Sequence, residues 1–198
     1  MVTMNTPNHV KIRFDRVSYW YEQQQVLKDI TLDVAAHAVT VFLGPAGSGK
    51  STLLRMINRL NDRVPSCRHE GRILVDGQDI RAMDPGLLAA QTGVAFQSDF
   101  IMAATIRDNI AYFREFSDEQ VGRAARAAQA EDFIRGTDKG LLHEVESRGN
   151  NRSGGQKQRL LIARALAGQP RLLILDDASS ALDYRTDAAL RRALAEGH

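Results

Sequence analysis

The segment GPAGSGKST (residues 44–52, the P-loop below) constrains the fold of this chain more than any other segment. It matches the pattern G-x-x-x-x-G-K-[ST], whose glycines let backbone N–H groups surround phosphate oxygens. The apolar run VTVFLG before it predicts a buried parallel strand. The segment STLLRMINRL after it predicts a helix whose N-terminal dipole favours an anion. This order predicts an α/β domain that binds phosphate.

A second segment, LLILDD (residues 172–177), supplies the carboxylates that such a site needs. Lys50 would reach the β- and γ-phosphates, and Ser51 would hold Mg²⁺. Asp176 would assist Mg²⁺ from the carboxyl edge of the sheet, and Asp177 would orient the attacking water. The expected ligands are a nucleotide phosphate group and Mg²⁺. The expected loop contacts to the nucleotide are Gly44, Pro45, Ala46, Gly47, Ser48, Gly49, Lys50, Ser51 and Thr52.

A third segment, RSGGQ (residues 152–156, the signature segment below), has the pattern of a helix start. Ser153 and Gln156 have the spacing of a capping box, and Gly154 and Gly155 permit close backbone approach. An N-capped helix explains this segment when it is read alone. The alternative is a second phosphate site, formed by the serine hydroxyl, the glycine N–H groups and the helix dipole.

The remaining patterns predict the layout of the chain. Alternating apolar residues predict β-structure over the first forty residues, and Asp76-Gly77 predicts a hairpin turn. Residues 105–134 are alanine-rich with helical spacing, and helices are also expected at 153–167 and 184–195. Strands that alternate with helices predict a mostly parallel sheet.

Composition excludes several classes of protein. With 26 basic and 24 acidic residues the net charge is +2, which gives no electrostatic case for nucleic acid. The one cysteine, Cys67, excludes an internal disulfide and fits a reducing compartment. No apolar run approaches the roughly 20 residues that cross a bilayer, and the N-terminus lacks a signal-peptide core. We expect a soluble chain that meets a membrane only through partners.

The order of the P-loop, Gln97, the signature segment, LLILDD and SALD (residues 180–183) resembles the nucleotide-binding domain of ABC transporters over essentially the whole chain. The resemblance implies a P-loop NTPase fold with a mostly parallel sheet, an N-terminal antiparallel β subdomain and an inserted helical lobe at about 98–165. It implies one ABC ATPase domain over residues 1–198. It also implies an ATPase that drives a membrane transporter from the cytoplasmic face.

The resemblance further implies partners and residue roles. The partners would be transmembrane permease subunits or domains and a second ABC ATPase domain, which sandwich ATP head to tail between one P-loop and the other signature segment (Ser153, Gly154, Gly155 and Gln156). Tyr21 looks like the aromatic residue that stacks on adenine, although Tyr19 and Trp20 adjoin it. Gln97 looks like the residue that senses Mg²⁺ and couples to the membrane domain, and it is expected to take part in catalysis beside Lys50 and Asp177. Asp183 looks like a contact between subunits.

Departures from the family pattern bear on turnover. Asp177 replaces the usual glutamate, and a carboxylate drawn back by roughly 1 Å can cost about 10²-fold in rate. Arg152 replaces an apolar residue, and it either contacts the opposing γ-phosphate or points to solvent. The chain ends at His198, before the family's last strand and switch histidine. We expect slow hydrolysis; the alternative is an ATP-binding regulatory or degenerate module with little or no turnover.

The two parts of the sequence also resemble different branches of the family. RMINRLNDRVPSCRHEGRILVDGQDI is similar to phosphate-type importers, whereas ILDDASSALDYRTDAALRRAL is similar to multidrug-type exporters. The change falls between about Gln91 and Thr105, so a mosaic is one hypothesis and ordinary divergence the other. A non-transport ABC ATPase would carry long coiled-coil or basic insertions, and the sequence has neither.

Overall fold

The computed structural model describes residues 9–96, 100–146 and 149–197, which form two compact units divided between residues 88 and 89. The elements of the first unit are β1 (Val10–Tyr21), β2 (Gln24–Ala35), α1 (Lys50–Ile57), a 3₁₀ turn (Leu60–Arg63), β3 (Cys67–Val75) and β4 (Gln78–Asp79). Its strands form an antiparallel sheet in the order β2-β1-β3-β4. The predicted antiparallel subdomain is therefore confirmed.

The register of β1 includes a bulge that the alternating pattern alone does not specify. Phe14 pairs with Ile73, but the pairing shifts between Asp15 and Ser18, and Arg16 has a φ of 51°. The extra residue lets Phe14 and Val17, three positions apart, both lie in the core at 0% and 1% exposure. The predicted hairpin is confirmed, because Asp76 and Gly77 both have positive φ (49° and 79°) between β3 and β4.

The prediction of a buried strand over VTVFLG is wrong. Residues 39–44 form no strand, and Val39, Val41 and Leu43 are 75%, 59% and 89% exposed. A strand exists only where another strand pairs with its N–H and C=O groups. The described strands of the first unit pair with one another in an antiparallel sheet, and this segment does not join them.

The second unit contains a parallel strand pair and a helical lobe. Strand β5 (Thr92–Phe96) pairs with β8 (Leu172–Asp176), with Thr92 opposite Leu172 and Phe96 opposite Asp176. The division between the units falls within α2 (Pro85–Gln91). The other elements are β6 (Ala104–Thr105), α3 (Ile106–Ala111), α4 (Asp118–Ala127), α5 (Glu131–Arg135), a 3₁₀ turn (Gly140–Leu142), β7 (Glu144–Val145), α6 (Gly154–Leu166) and α7 (Tyr184–Gly197).

Helix α6 is central to the core of the second unit. It packs against β5, α3 and α4, and its residues Leu160, Ile162 and Ala163 are 0% exposed. The predicted helical segments are confirmed, and so is the strand LLILD, although only its central residue Ile174 is fully buried. None of the described helices is long and apolar enough to cross a membrane.

Candidate nucleotide site

The P-loop of the first unit has the backbone of an anion-binding loop. Gly47 and Gly49 have φ values of 76° and 88°, in the left-handed region that lets successive N–H groups converge. The Lys50 ammonium folds over the loop, donating to the carbonyl oxygens of Gly44 (2.9 Å) and Pro45 (2.7 Å) and to Ser48 Oγ (3.2 Å). Curved backbone with a lysine over it fits a polyphosphate.

Helix α1 anchors this loop on the sheet of the same unit. An added Cβ at Gly49 would lie 2.7 Å from Leu27 Cδ2, so the loop packs directly on β2. Thr52 is 8% exposed, and its carbonyl accepts a hydrogen bond from Asn61 Nδ2 at 2.9 Å. Ser51, which is half-buried in the first turn, offers the hard hydroxyl oxygen that Mg²⁺ prefers.

The aromatic residues at the end of β1 have different surroundings. Tyr19 is 1% exposed, and burial raises the pKa of its phenol. The Tyr21 ring is partly exposed and packs edge-to-face on Tyr19 with centroids 4.9 Å apart. Trp20 lies beneath the Arg68 guanidinium at 4.0 Å. Tyr21 is therefore the more exposed tyrosine of this pair.

The two carboxylates of the second unit follow one another at the end of β8. Asp176 is the last residue of the strand, opposite Phe96. Asp177 is exposed and has a φ of 55°, so the chain turns sharply at this residue. Aspartate tolerates left-handed backbone better than most residues. Carboxylate oxygens, like the Ser51 hydroxyl, belong to the donor set of Mg²⁺.

The signature segment begins α6 as predicted. Ser153 Oγ accepts from Gln156 N–H at 3.2 Å, and Gln156 Oε1 accepts from Ser153 N–H at 3.2 Å, so the capping box is confirmed. An added Cβ at Gly155 would lie 3.0 Å from the Ala181 carbonyl oxygen. The glycine therefore allows the loop after β8 (residues 177–183, the post-β8 loop below) to approach α6.

A cavity of about 380 Å³ opens between the signature segment and the post-β8 loop. Arg159 contributes its positive charge: Nη1 donates to the Gln129 carbonyl at 2.8 Å, and the guanidinium lies over Phe133 at 4.9 Å. Burial lowers the pKa of Arg159, and Asp183 opposes that shift. The cavity is lined by Ser153, Gly154, Gly155, Arg159, Ala181, Leu182, Asp183 and Thr186.

Asp183 lines this cavity, and Arg152 directly precedes Ser153 in the chain. Asp183 caps α7, accepting from the Thr186 N–H at 3.0 Å and hydroxyl at 2.8 Å, and these hydrogen bonds lower its pKa. Arg152 is half-buried, and its Nε has no hydrogen-bond partner among the described residues. The Arg152 side chain is therefore partly buried and not fully solvated.

The predicted site residues fall into two groups. The P-loop and Tyr21 belong to the first unit, and Asp176, Asp177, the signature segment and Asp183 belong to the second. Gln97 and His198 lie outside the described residues.

Sequence reasoning missed two polar residues of α6, Gln158 and Arg159. Gln158 is 8% exposed and precedes the buried Leu161 and Ile162 by three and four positions. A polar residue on the apolar face of a helix was the available signal.

The fold and these residues thus define the class of nucleotide-binding α/β proteins with a P-loop. The sequence matches the ABC transporter family over residues 27–180, and the chain belongs to that family. It is 41% identical to an uncharacterized ABC transporter ATP-binding protein of Bacillus subtilis, over 93% of this chain and 32% of that protein. It is 40% identical to a multidrug efflux ATP-binding/permease protein of Mycobacterium tuberculosis, over 92% of this chain and 15% of that protein.

Solved structures support the same assignment. A bacterial Atm1-family ABC exporter with ATP bound matches with a TM-score of 0.84 and 37% identity, over 97% of this chain and 34% of that one. The chain is an ABC nucleotide-binding domain with the P-loop NTPase fold. It spans about a third, or less, of the length of these relatives.

Proposed function

We propose that this chain binds Mg-ATP and hydrolyses it slowly as the motor domain of an ABC membrane transporter. The observation that carries the proposal is the P-loop, in which Lys50 folds over left-handed glycine backbone at the start of α1. Membership of the ABC transporter family supports ATP as the nucleotide. The proposal takes residues 1–198 as one ABC ATPase domain with a helical lobe at about 98–165.

The residues of the chain would divide the work of phosphoryl transfer. The P-loop N–H groups and Lys50 would hold the β- and γ-phosphates and stabilise the charge that develops on them. Ser51, Asp176 and Gln97 would hold Mg²⁺, which supplies further positive charge to the phosphate oxygens. Asp177 would orient water for in-line attack with Gln97, and Tyr21 would stack on the base.

Asp177 accounts for slow turnover in this proposal. Aspartate has one methylene fewer than glutamate, and a displacement of roughly 1 Å can cost about 10²-fold in rate. The alternative function, a nucleotide-binding regulatory module without turnover, rests on the same residue. Phosphate release distinguishes the two.

A second copy of an ABC ATPase domain would complete each site by placing its signature segment on the bound ATP. Ser153 lies at the N-terminus of a thirteen-residue helix, where its hydroxyl and the adjacent N–H groups favour an anion. The Ser153→Ala variant should therefore dimerise less when ATP is added. EDTA is present in this experiment to remove Mg²⁺ and so prevent hydrolysis. Equal ATP-dependent dimerisation, measured by light scattering, would argue against this arrangement.

An exposed aromatic cluster of the second unit supports contact with transmembrane partners. Phe100, Tyr112 and Phe113 are 55%, 41% and 87% exposed. Arg164 joins them, donating to the Phe100 carbonyl at 2.9 Å and lying over the Tyr112 ring at 4.3 Å. Exposed apolar clusters of this kind mark protein–protein contacts.

Crosslinking tests this contact in membranes that contain the transmembrane partner, called the transmembrane part below. In a Cys67→Ser background, Phe113→Cys should crosslink to that part. Leu142→Cys, also on the second unit and 62% exposed, is the control and should not crosslink. Equal crosslinking at both positions would refute the assignment of the contact to the aromatic cluster.

Calorimetric titration with ATP tests the proposal at its first step. Lys50→Ala should weaken binding, because it removes the ammonium that is proposed to hold the phosphates. Lys139→Ala, which removes one exposed lysine of the second unit, is the matched control and should bind like the wild type. Equal affinity of all three proteins would contradict the assigned site.

A further inference from the structure

Gln158 is a buried amide whose two ends are both bound to the post-β8 loop. Its side-chain Nε2 donates to Ser180 Oγ at 3.0 Å, and its Oε1 accepts from the Ala181 N–H at 2.8 Å. The side chain is 8% exposed and belongs to the apolar face of α6. A buried amide with both ends bonded holds its partners in one arrangement.

Ser180 extends these hydrogen bonds to Asp177. Its hydroxyl donates to the Asp177 carbonyl at 3.1 Å. A hydroxyl has one proton to donate, so it accepts from Gln158 and donates to Asp177. The direction of both hydrogen bonds is thus set. Together they connect α6 to the backbone of Asp177, the residue proposed to orient water.

The Asp177 backbone has a conformation that this hydrogen bond helps to hold. Its φ of 55° lies in the left-handed region, which aspartate tolerates better than most residues but still adopts at a cost relative to right-handed backbone. Its side chain is exposed, so the direction of the carboxylate depends mainly on the conformation of the Asp177 backbone. A hydrogen bond to its carbonyl opposes relaxation of this turn, and therefore opposes reorientation of the carboxylate.

We infer that Gln158 is a positioning residue that acts through Ser180 to aim the Asp177 carboxylate. The same helix then presents the signature segment to one nucleotide and orients the water-directing residue for another. Gln158 itself does not line the cavity beside the signature segment, although its partner Ala181 does. Because its proposed role is to aim Asp177 and not to hold nucleotide, its loss should lower kcat and leave KM for ATP unchanged. The catalytic part of this inference rests on the proposed function, whereas the hydrogen-bonded connection does not.

Amide hydrogen exchange, measured by NMR, tests the connection without any turnover. Gln158→Met keeps the volume but removes both hydrogen bonds, so the Ala181 amide should exchange at least about tenfold faster. Gln158→Glu retains the acceptor for Ala181 and should keep its protection. Amides of α4 serve as the control for folding and should not change. Equal Ala181 exchange in the wild type and Gln158→Met would overturn the inference.

Steady-state kinetics test the catalytic consequence. Because a misplacement of about 1 Å costs roughly 10²-fold, Gln158→Met should lower kcat by about tenfold to a hundredfold with KM unchanged. In an Asp177→Asn background the same change should have no further effect, since both residues act at one point. A further loss of kcat in that background, or an unchanged kcat in the single variant, would refute the positioning role.

The two failures are distinguishable. If the wild type releases no phosphate, the proposed function and the positioning role both fail, and the exchange result then describes a structural connection alone. If the wild type turns over and Gln158→Met matches it, the proposed function stands and the positioning role is overturned.

Discussion

Among the glycines of the second unit whose surroundings the structure describes, Gly93 should be the least replaceable. It lies in β5, where an added Cβ would be 2.3 Å from the Ala165 carbonyl oxygen and 2.7 Å from Pro170 Cγ. Non-bonded heavy atoms prefer separations of roughly 3.5 Å, so the Ala165 contact is short by about 1 Å. The oxygen belongs to the backbone of α6, so a side-chain rotation cannot relieve the clash.

Gly93→Ala therefore requires α6 to move away from β5. Overpacking of a close-packed core costs about 1–3 kcal/mol, and displacement of the helix that carries Leu160 and Ile162 would place the cost at the upper end or above it. We expect the free energy of unfolding to fall by about 3 kcal/mol, measured by urea denaturation with circular dichroism.

The control is the same substitution in an open position. Gly122 lies inside α4, where an added Cβ would meet only Arg126 Nη1 at 3.8 Å. Alanine favours a helix interior over glycine by about 0.8–1 kcal/mol, so Gly122→Ala should stabilise the protein. If Gly93→Ala is as stable as the wild type, or if both variants change stability alike, the packing of α6 on β5 described here is refuted.

Three further predictions concern the caps and the carboxylates. Ser153→Ala and Ser117→Ala each remove one capping box and should each cost about 1 kcal/mol in denaturation, but only Ser153→Ala should lower phosphate release. Asp177→Glu should raise phosphate release by up to about 10²-fold, and unchanged turnover would refute the proposed cause of slow hydrolysis. The hydrogen bonds from Thr186 lower the pKa of Asp183, so the stability they provide is present above its unfolded pKa of about 3.9 and is lost as pH falls through the lower folded value. Lowering the pH below about 4 should therefore reduce the free energy of unfolding of Asp183→Asn less than that of the wild type.

The features predictable from the sequence were those that neighbouring residues determine. Asp76-Gly77 turns the chain because both residues adopt positive φ, and Ser153 caps α6 with Gln156 three positions later. The family resemblance rests on the same short segments and was confirmed by the match over residues 27–180. Local chemistry also placed the strand LLILD and the helices of the second unit.

The features that sequence reasoning missed depend on distant contacts. Residues 39–44 have the composition of a buried strand, but strand formation requires a paired neighbour, and composition does not supply one. The bonds of Gln158 reach Ser180 and Ala181, 22 and 23 positions further along the chain. The bulge at Arg16 likewise reflects the fit of β1 to β3.

Steady-state phosphate release with saturating Mg-ATP tests the central claim, that this chain is an ATP-hydrolysing motor domain, most directly. Wild type and the Lys139→Ala control should release phosphate at the same slow rate. Lys50→Ala should lose that activity, because it lacks the ammonium that lies over the P-loop. Release from Lys50→Ala at the wild-type rate, or none from any of the three proteins, would contradict the account.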